Sequence, residues 1–288
     1  MSYLHLDHDV VETAMGAQGS RLDFIPLSGF VSWPAADSII KRSVAKFDAG
    51  KSVGVPHLFI GAPPLCGVSS IMGEIDRRGA LGSGRHRRAV SILTPHTFSE
   101  LRVTHAIRVA LQAPGEMPRG ALQSEQLALR AFRDSATTLL QVRKINRVSL
   151  KQRRRLIEYL YSLSLDGDIS LTLSGPKSDA KLLSNTPELA ARTELVELKA
   201  WPPARWVTDV VQSALRRYPL RRPSNVTPEF MSVLFGRTSG YPGRIFGMLK
   251  AAARHAIVTG SEEITEQTLR QTPIPFTEAR AVRVGETY

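Results

Sequence analysis

The chain has 288 residues, 42% of them hydrophobic, and its 38 Lys and Arg against 26 Asp and Glu give a formal charge of +12. That composition builds a substantial core in one large or two smaller domains, and the basic excess points to a polyanionic partner. The lone Cys66 excludes a disulfide framework and a cysteine zinc site, no apolar run approaches the roughly 18 residues of a membrane span, and the amino terminus lacks the regions of a signal peptide; a cytoplasmic protein is expected.

Residues 1–30 are mixed in character and read as an arm. Ser32-Trp33-Pro34 opens a helix, with Ser32 as its cap and Ile39, Ile40, Val44 and Phe47 as its apolar face. Val55 to Ile60 is a short apolar strand running into a Gly/Pro-rich loop, and a helix follows from Ile71 towards Arg78. Strand, loop and helix in that order are the layout of a phosphate-binding loop. Ala89–Thr94 reads as a second strand, then helices from about Ser99 to Ala110 and from Gln123 to Phe132. Thr137–Val142 is a third strand, followed by a basic helix from Leu150 to Leu163. Ile169–Ser174 and Leu195–Leu198 complete five strands. Alternation of strands and helices predicts an α/β fold, a parallel sheet covered by helices on both faces. After Trp201-Pro202-Pro203 the strands stop. Trp206–Arg217, Pro228–Phe235, Gly243–Thr259 and Glu263–Leu269 read as helices, and Thr227-Pro228 marks a helix start. The expected division is an arm over 1–30, an α/β core over 31–200, a helical part over 201–272 and a tail over 273–288.

The basic residues cluster. Arg85-His86-Arg87-Arg88 is one group, and Arg216, Arg217, Arg221 and Arg222 are another. The densest holds Arg143, Lys144, Arg147, Lys151, Arg153, Arg154 and Arg155, within a stretch from Ser135 to Ile157 that has no acid. Each such cation that reaches a phosphate releases counterions. Apart from Tyr218 no aromatic interleaves with these groups, which favours backbone contact to double-stranded DNA over stacking on single strands. A solvated basic surface is the alternative. The seven histidines show no metal-ligand spacing, and no metal site is expected.

The loop departs from a working nucleotide loop, G-x-x-x-x-G-K-[ST], whose Lys and hydroxyl hold phosphate and magnesium. Here the stretch is Ala62-Pro-Pro-Leu-Cys-Gly67-Val68-Ser69: Val68 takes the Lys position, and two prolines delete backbone donors. The end of the third strand should carry an acidic pair, yet it reads Val142-Arg143-Lys144. Gly67, Val68 and Ser69 are therefore a degenerate nucleotide site, with an ordinary strand-to-helix turn as the alternative. No cofactor is expected unless this loop still binds ATP with magnesium.

Further residues resemble a family. Tyr218-Pro-Leu-Arg-Arg-Pro-Ser224 is close to the L-P-L-R-R-P-S segment of the TniB proteins of bacterial transposons, AAA+ relatives of TnsC and MuB. Trp33-Pro34, the strand from Val55, Arg192 with Trp201 nine residues later, and Ser239-Gly-Tyr-Pro-Gly243 through Ile264-Thr265 follow the same order. The resemblance covers about residues 30–270. It implies an AAA+, P-loop NTPase-like fold with a small carboxyl-terminal helical lid, and a role in transposition: oligomeric assembly on DNA, target selection and recruitment of a transposase. A TniQ-like protein and an active AAA+ homologue are further partners it suggests. It places the family's acidic pair on Val142 and Arg143 and aligns Arg192 with an arginine finger that acts across a subunit boundary. A surface salt bridge is the plainer reading of Arg192. Because the Lys and the acids are missing, the expectation is an adaptor that does not hydrolyse ATP. The rivals are an active ATP-dependent regulator using shifted residues such as Lys144 or the 85–88 cluster, and a protein-interaction subunit without DNA contact.

Overall fold

Short β-branched and leucine-rich runs become strands here because both faces of the sheet are covered, so they need no polar alternation. The computed structural model describes residues 3–25, 29–48, 57–80, 88–113, 120–185 and 187–275. They form two compact units, one of Pro34–Lys199 and one of Met1–Trp33 with Ala200–Tyr288.

In chain order the second unit begins with α1 (His8–Met15) and α2 (Gln18–Phe24). The α/β unit then runs α3 (Pro34–Asp48), β1 (His57–Gly61), α4 (Val68–Gly79), β2 (Ala89–Leu93), α5 (Glu100–Ala110), α6 (Ala121–Asp134), β3 (Leu139–Arg143), α7 (Leu150–Asp166), β4 (Ser170–Gly175), α8 (Pro187–Ala191) and β5 (Thr193–Glu197). Four helices return to the unit that holds α1 and α2: α9 (Arg205–Leu215), α10 (Pro228–Thr238), α11 (Pro242–Thr259) and α12 (Glu266–Gln271).

The five strands are all parallel, in the order β2-β3-β4-β1-β5. Alternate strand residues face opposite ways. Phe59, Leu140, Val142 and Leu171 therefore share a core with Val103, Ile107, Phe132, Leu156 and Leu160 of α5, α6 and α7. Gln141 faces the other way, where its amide donates to the Met72 carbonyl at 3.1 Å and to Asp76 at 2.6 Å, both on α4.

Residues 1–30, read above as an arm, hold two helices. Leu6, Val10 and Ala14 recur every four residues and are buried together, with Phe24 of α2 packed on them. Arg21 is buried, donates to the Pro219 carbonyl at 3.0 Å and pairs with both oxygens of Glu262. A knot of rings, Trp33, Trp201, Trp206 and Phe246, joins the segment to α9 and α11: Trp201 lies 5.6 Å from Trp33, 5.3 Å from Trp206 and 5.8 Å from Phe246, edge-on to each. Among the described residues no helix is long and apolar enough to cross a membrane.

Candidate functional site

All five strands point the same way, so their carboxyl ends share one edge of the sheet. In open parallel sheets that edge is where ligands bind. The loop after β1 opens there. Leu65 and Gly67 both take positive φ, 67° and 86°, and Gly67 caps α4. The N–H groups of Ser70 and Ile71 both donate to the Gly67 carbonyl at 3.0 Å. The helix start leaves the amides of Val68 and Ser69 without intrahelical acceptors, the ordinary basis of anion affinity at such a turn. Ser69 is exposed, and Val68 is half-buried with no charge to offer.

Two strands away lies the end of β3. Val142 is wholly enclosed in the core and pairs with Leu173, so it cannot face a ligand. The residues that emerge at the edge are Arg143, the last of the strand, and Lys144, which follows at φ 57°. The cations that leave the strand at the edge are Arg143 and Lys144, while the alternation of β3 buries Val142, where the resemblance places the first member of the acidic pair. Lys144 N–H donates to Ser174 Oγ at 3.1 Å, while Thr94 donates to the Arg143 carbonyl through its amide and its hydroxyl. These bonds tie the ends of β2, β3 and β4 together. From the strand spacing, Lys144 stands about 10 Å from Gly61, across β4. The edge carries two cations where a magnesium site needs carboxylates.

The other predicted basic residues separate into two kinds. Arg153 is a brace. It donates to the Val148 carbonyl at 3.0 Å and the Asn146 carbonyl at 3.3 Å, and its NH1 lies 2.8 Å from Asp179, whose side chain is 4% exposed. Arg147 is bonded to His96. Arg154 pairs with Glu158 one turn on, and Arg155 stands over the Phe98 ring at 5.8 Å. Both arginines are exposed, as are Lys144 and Lys151, which form no ion pair among the described residues. Of the seven, Lys144, Lys151, Arg154 and Arg155 are exposed, while Arg143, Arg147 and Arg153 are half-buried. Arg85, His86 and Arg87 lie outside the described residues.

Arg192 lies at the opposite end of the sheet. It precedes β5, and its carbonyl accepts the His57 amide at the start of β1. The length of β1 puts the chain's own loop about 16 Å away, beyond its reach. Among the described residues it forms no ion pair; its charge acts on His57, whose pKa burial, then Arg192 and Lys46, hold down at about 4. Lys46 on α3 is buried and its ammonium has no hydrogen-bond partner among the described residues, so desolvation lowers its pKa to about 8 against a weaker pull from Glu194. Among the described residues no group of three His, Cys, Asp or Glu is placed to hold a metal ion.

Sequence reasoning missed Asp179, the acid that fixes Arg153, because its partner lies 26 residues away and no pattern links them. It also missed Lys177, which packs its backbone against Gly61 and pairs with Glu197 at 2.8 Å.

A parallel sheet in this order, with a loop and helix at the carboxyl end of β1 and a helical carboxyl-terminal region, defines an AAA+ P-loop fold. The chain belongs to the family described as bacterial TniB protein, which matches over residues 21–203. Solved structures bear out the fold. The Aeropyrum pernix ORC2 protein in its ADP form superposes with a TM-score of 0.61 at 13% identity, covering 84% of this chain and 67% of its own. The Aeropyrum pernix ORC1 protein in complex with DNA gives 0.61 at 14%, covering 84% and 65%. Domain III of the Thermotoga maritima replication initiation protein DnaA gives 0.51 at 12%, covering 92% and 95%. The chain thus spans about two thirds of the ORC proteins it resembles. No curated protein matches it.

Proposed function

We propose that this TniB-family chain is a transposition adaptor that holds duplex DNA through its phosphates and does not hydrolyse ATP. The observation that carries the reading is the pair Arg143 and Lys144 at the sheet edge, beside a loop whose Lys position is Val68. A phosphate chain with magnesium needs a cation in the loop and carboxylates at the strand end. This edge reverses the second requirement and omits the first. Lys144, Lys151, Arg154 and Arg155 then supply sequence-independent contacts to the backbone. The ORC1 neighbour, described in complex with DNA, has the same fold and is consistent with such use. Arg192, out of reach of its own loop, is free to serve an adjoining subunit, its own copy or an active AAA+ homologue. The transposase and a TniQ-like protein are the expected recruits.

Two measurements test the proposal. Incubation with ATP and magnesium, with and without duplex, should release no phosphate above a protein-free control; turnover abolished by Ser69→Ala would overturn the claim. Duplex affinity should fall steeply with salt. Replacing Lys144, Lys151, Arg154 and Arg155 together by Gln should flatten the log–log slope by about 3.5, at about 0.9 per phosphate contact.

A further inference from the structure

The second basic run lies just after α9, and the amino-terminal segment sits on it. Arg216 Nε and Arg217 Nε lie 3.3 and 3.5 Å from the two carboxylate oxygens of Asp7, and the Asp7 amide donates to the Arg216 carbonyl at 3.0 Å. Arg221 donates to the carbonyls of Ala14 and Gly16, each at 3.3 Å. Arg222 is exposed and forms no ion pair among the described residues.

Two acids, Asp7 and Glu262, thus stand against Arg21, Arg216, Arg217 and Arg221, and they are held very differently. Glu262 pairs with buried Arg21, which also grips the Pro219 carbonyl. Asp7 is 34% exposed and Arg216 is 51% exposed. Their separations exceed the roughly 2.7–2.9 Å of a tight charge-assisted bond. The Arg216 pair, loose and solvated, holds little free energy and exchanges readily, whereas Arg217 is anchored by its NH1, which donates to the Phe30 carbonyl at 2.6 Å. Asp7 precedes α1 at the capping position, yet its side chain caps no amide; the carboxylate is turned to the arginines instead. Two guanidinium groups converging on one pair of oxygens offer what a backbone phosphate also accepts.

We infer that Arg216, Arg217 and Arg222 form a second duplex-binding surface, and that Asp7 occupies it as an internal stand-in for a phosphate. The exchange needs only a turn of the Asp7 side chain, since Leu6, Val10 and Ala14 can stay packed. Duplex is favoured over single strands because Tyr218, the aromatic within the run, is 2% exposed and cannot stack on a base. The inference rests on the proposal that the chain binds duplex DNA, but it concerns different residues.

The test uses the full chain, a labelled duplex of arbitrary sequence and a salt series. Asp7→Asn keeps the size of the side chain and removes the competing charge. Its duplex affinity should rise about two- to fivefold, the scale of one exposed ion pair, with the melting temperature unchanged. Arg216→Gln with Arg222→Gln should flatten the salt slope by about two. Unchanged affinity in the first variant and an unchanged slope in the second overturn the inference. If only the four-residue variant at the sheet edge loses binding, the function proposed above stands and this surface falls. If neither the unaltered chain nor Asp7→Asn binds duplex, both fall. Tighter binding of a single strand than of duplex would also count against the surface.

Discussion

At the scale of single residues, neighbours in one basic run have opposite jobs. Arg153 neutralises a carboxylate that the fold has buried, and one oxygen of Asp179 already lacks a hydrogen-bond partner among the described residues. Arg153→Ala should therefore cost about 3 kcal/mol, the lower end for stranding a buried charge. Arg154→Ala should cost less than about 0.5 kcal/mol, because its pair with Glu158 is open to water. Urea titration of both variants checks this, and equal losses would contradict it. Lys46 and His57 make a second prediction. Burial disfavours the charged form of each. Folded His57 stays neutral down to about pH 4, while the unfolded residue protonates near the ordinary histidine value of 6.5. Stability should fall as pH drops through that window. Folded Lys46 sheds its proton near pH 8, whereas the unfolded chain keeps it to 10.5, so stability should rise between those values. Lys46→Met should raise the melting temperature at pH 7 and abolish the alkaline gain. His57→Gln should flatten the acid limb. A melting temperature independent of pH in the unaltered chain would refute both.

Elements were legible where they were long and periodic. Helix α7 and strand β3 follow from apolar spacing, and Thr227-Pro228 marks the start of α10, where Thr227 accepts the Phe230 amide at 3.1 Å. Strand β1 starts at His57, and the two residues assigned before it lie outside the described stretch. The parallel sheet was legible for a physical reason: runs without polar alternation must be covered on both faces. Helices α1 and α2 were not, because the apolar stripe of α1 is only three residues long and Arg21 of α2 is held by residues some 200 positions away. At the site, the missing Lys and acids could be read directly. The face each cation takes could not, since that depends on pleat and partners, as Val142 and Arg153 show. The turn from α10 to α11 gives an element-scale prediction. Gly240 sits at φ 71°, and an added Cβ would stand 2.4 Å from the Trp201 carbonyl oxygen. Gly240→Ala should destabilise the helical unit by about 2–3 kcal/mol through strain at that position, measurable as earlier loss of helical signal on heating.

For the whole molecule, the helical unit is made from both ends of the sequence, with the α/β unit between them. Trp33, which directly precedes the intervening unit, and Trp201, the second residue after it, have ring centres 5.6 Å apart. A chain in which Trp33 is joined to Ala200 by a short Gly/Ser linker should then fold as a helical domain and melt cooperatively, as expected where an inserted unit enters and leaves at neighbouring points. A product with no cooperative transition would refute that.

The bonds from Arg21 to Pro219 and to Glu262 span 198 and 241 positions. During synthesis the first helices therefore emerge long before anything exists to receive them. The strands and helices of residues 34–199 can condense in the meantime, because their partners are close in sequence. Folding consequently runs from the middle outward, and α1 and α2 are among the last elements to settle. Through that interval Arg21 has neither of its acceptors, so the nascent chain is most vulnerable to misassociation at α2.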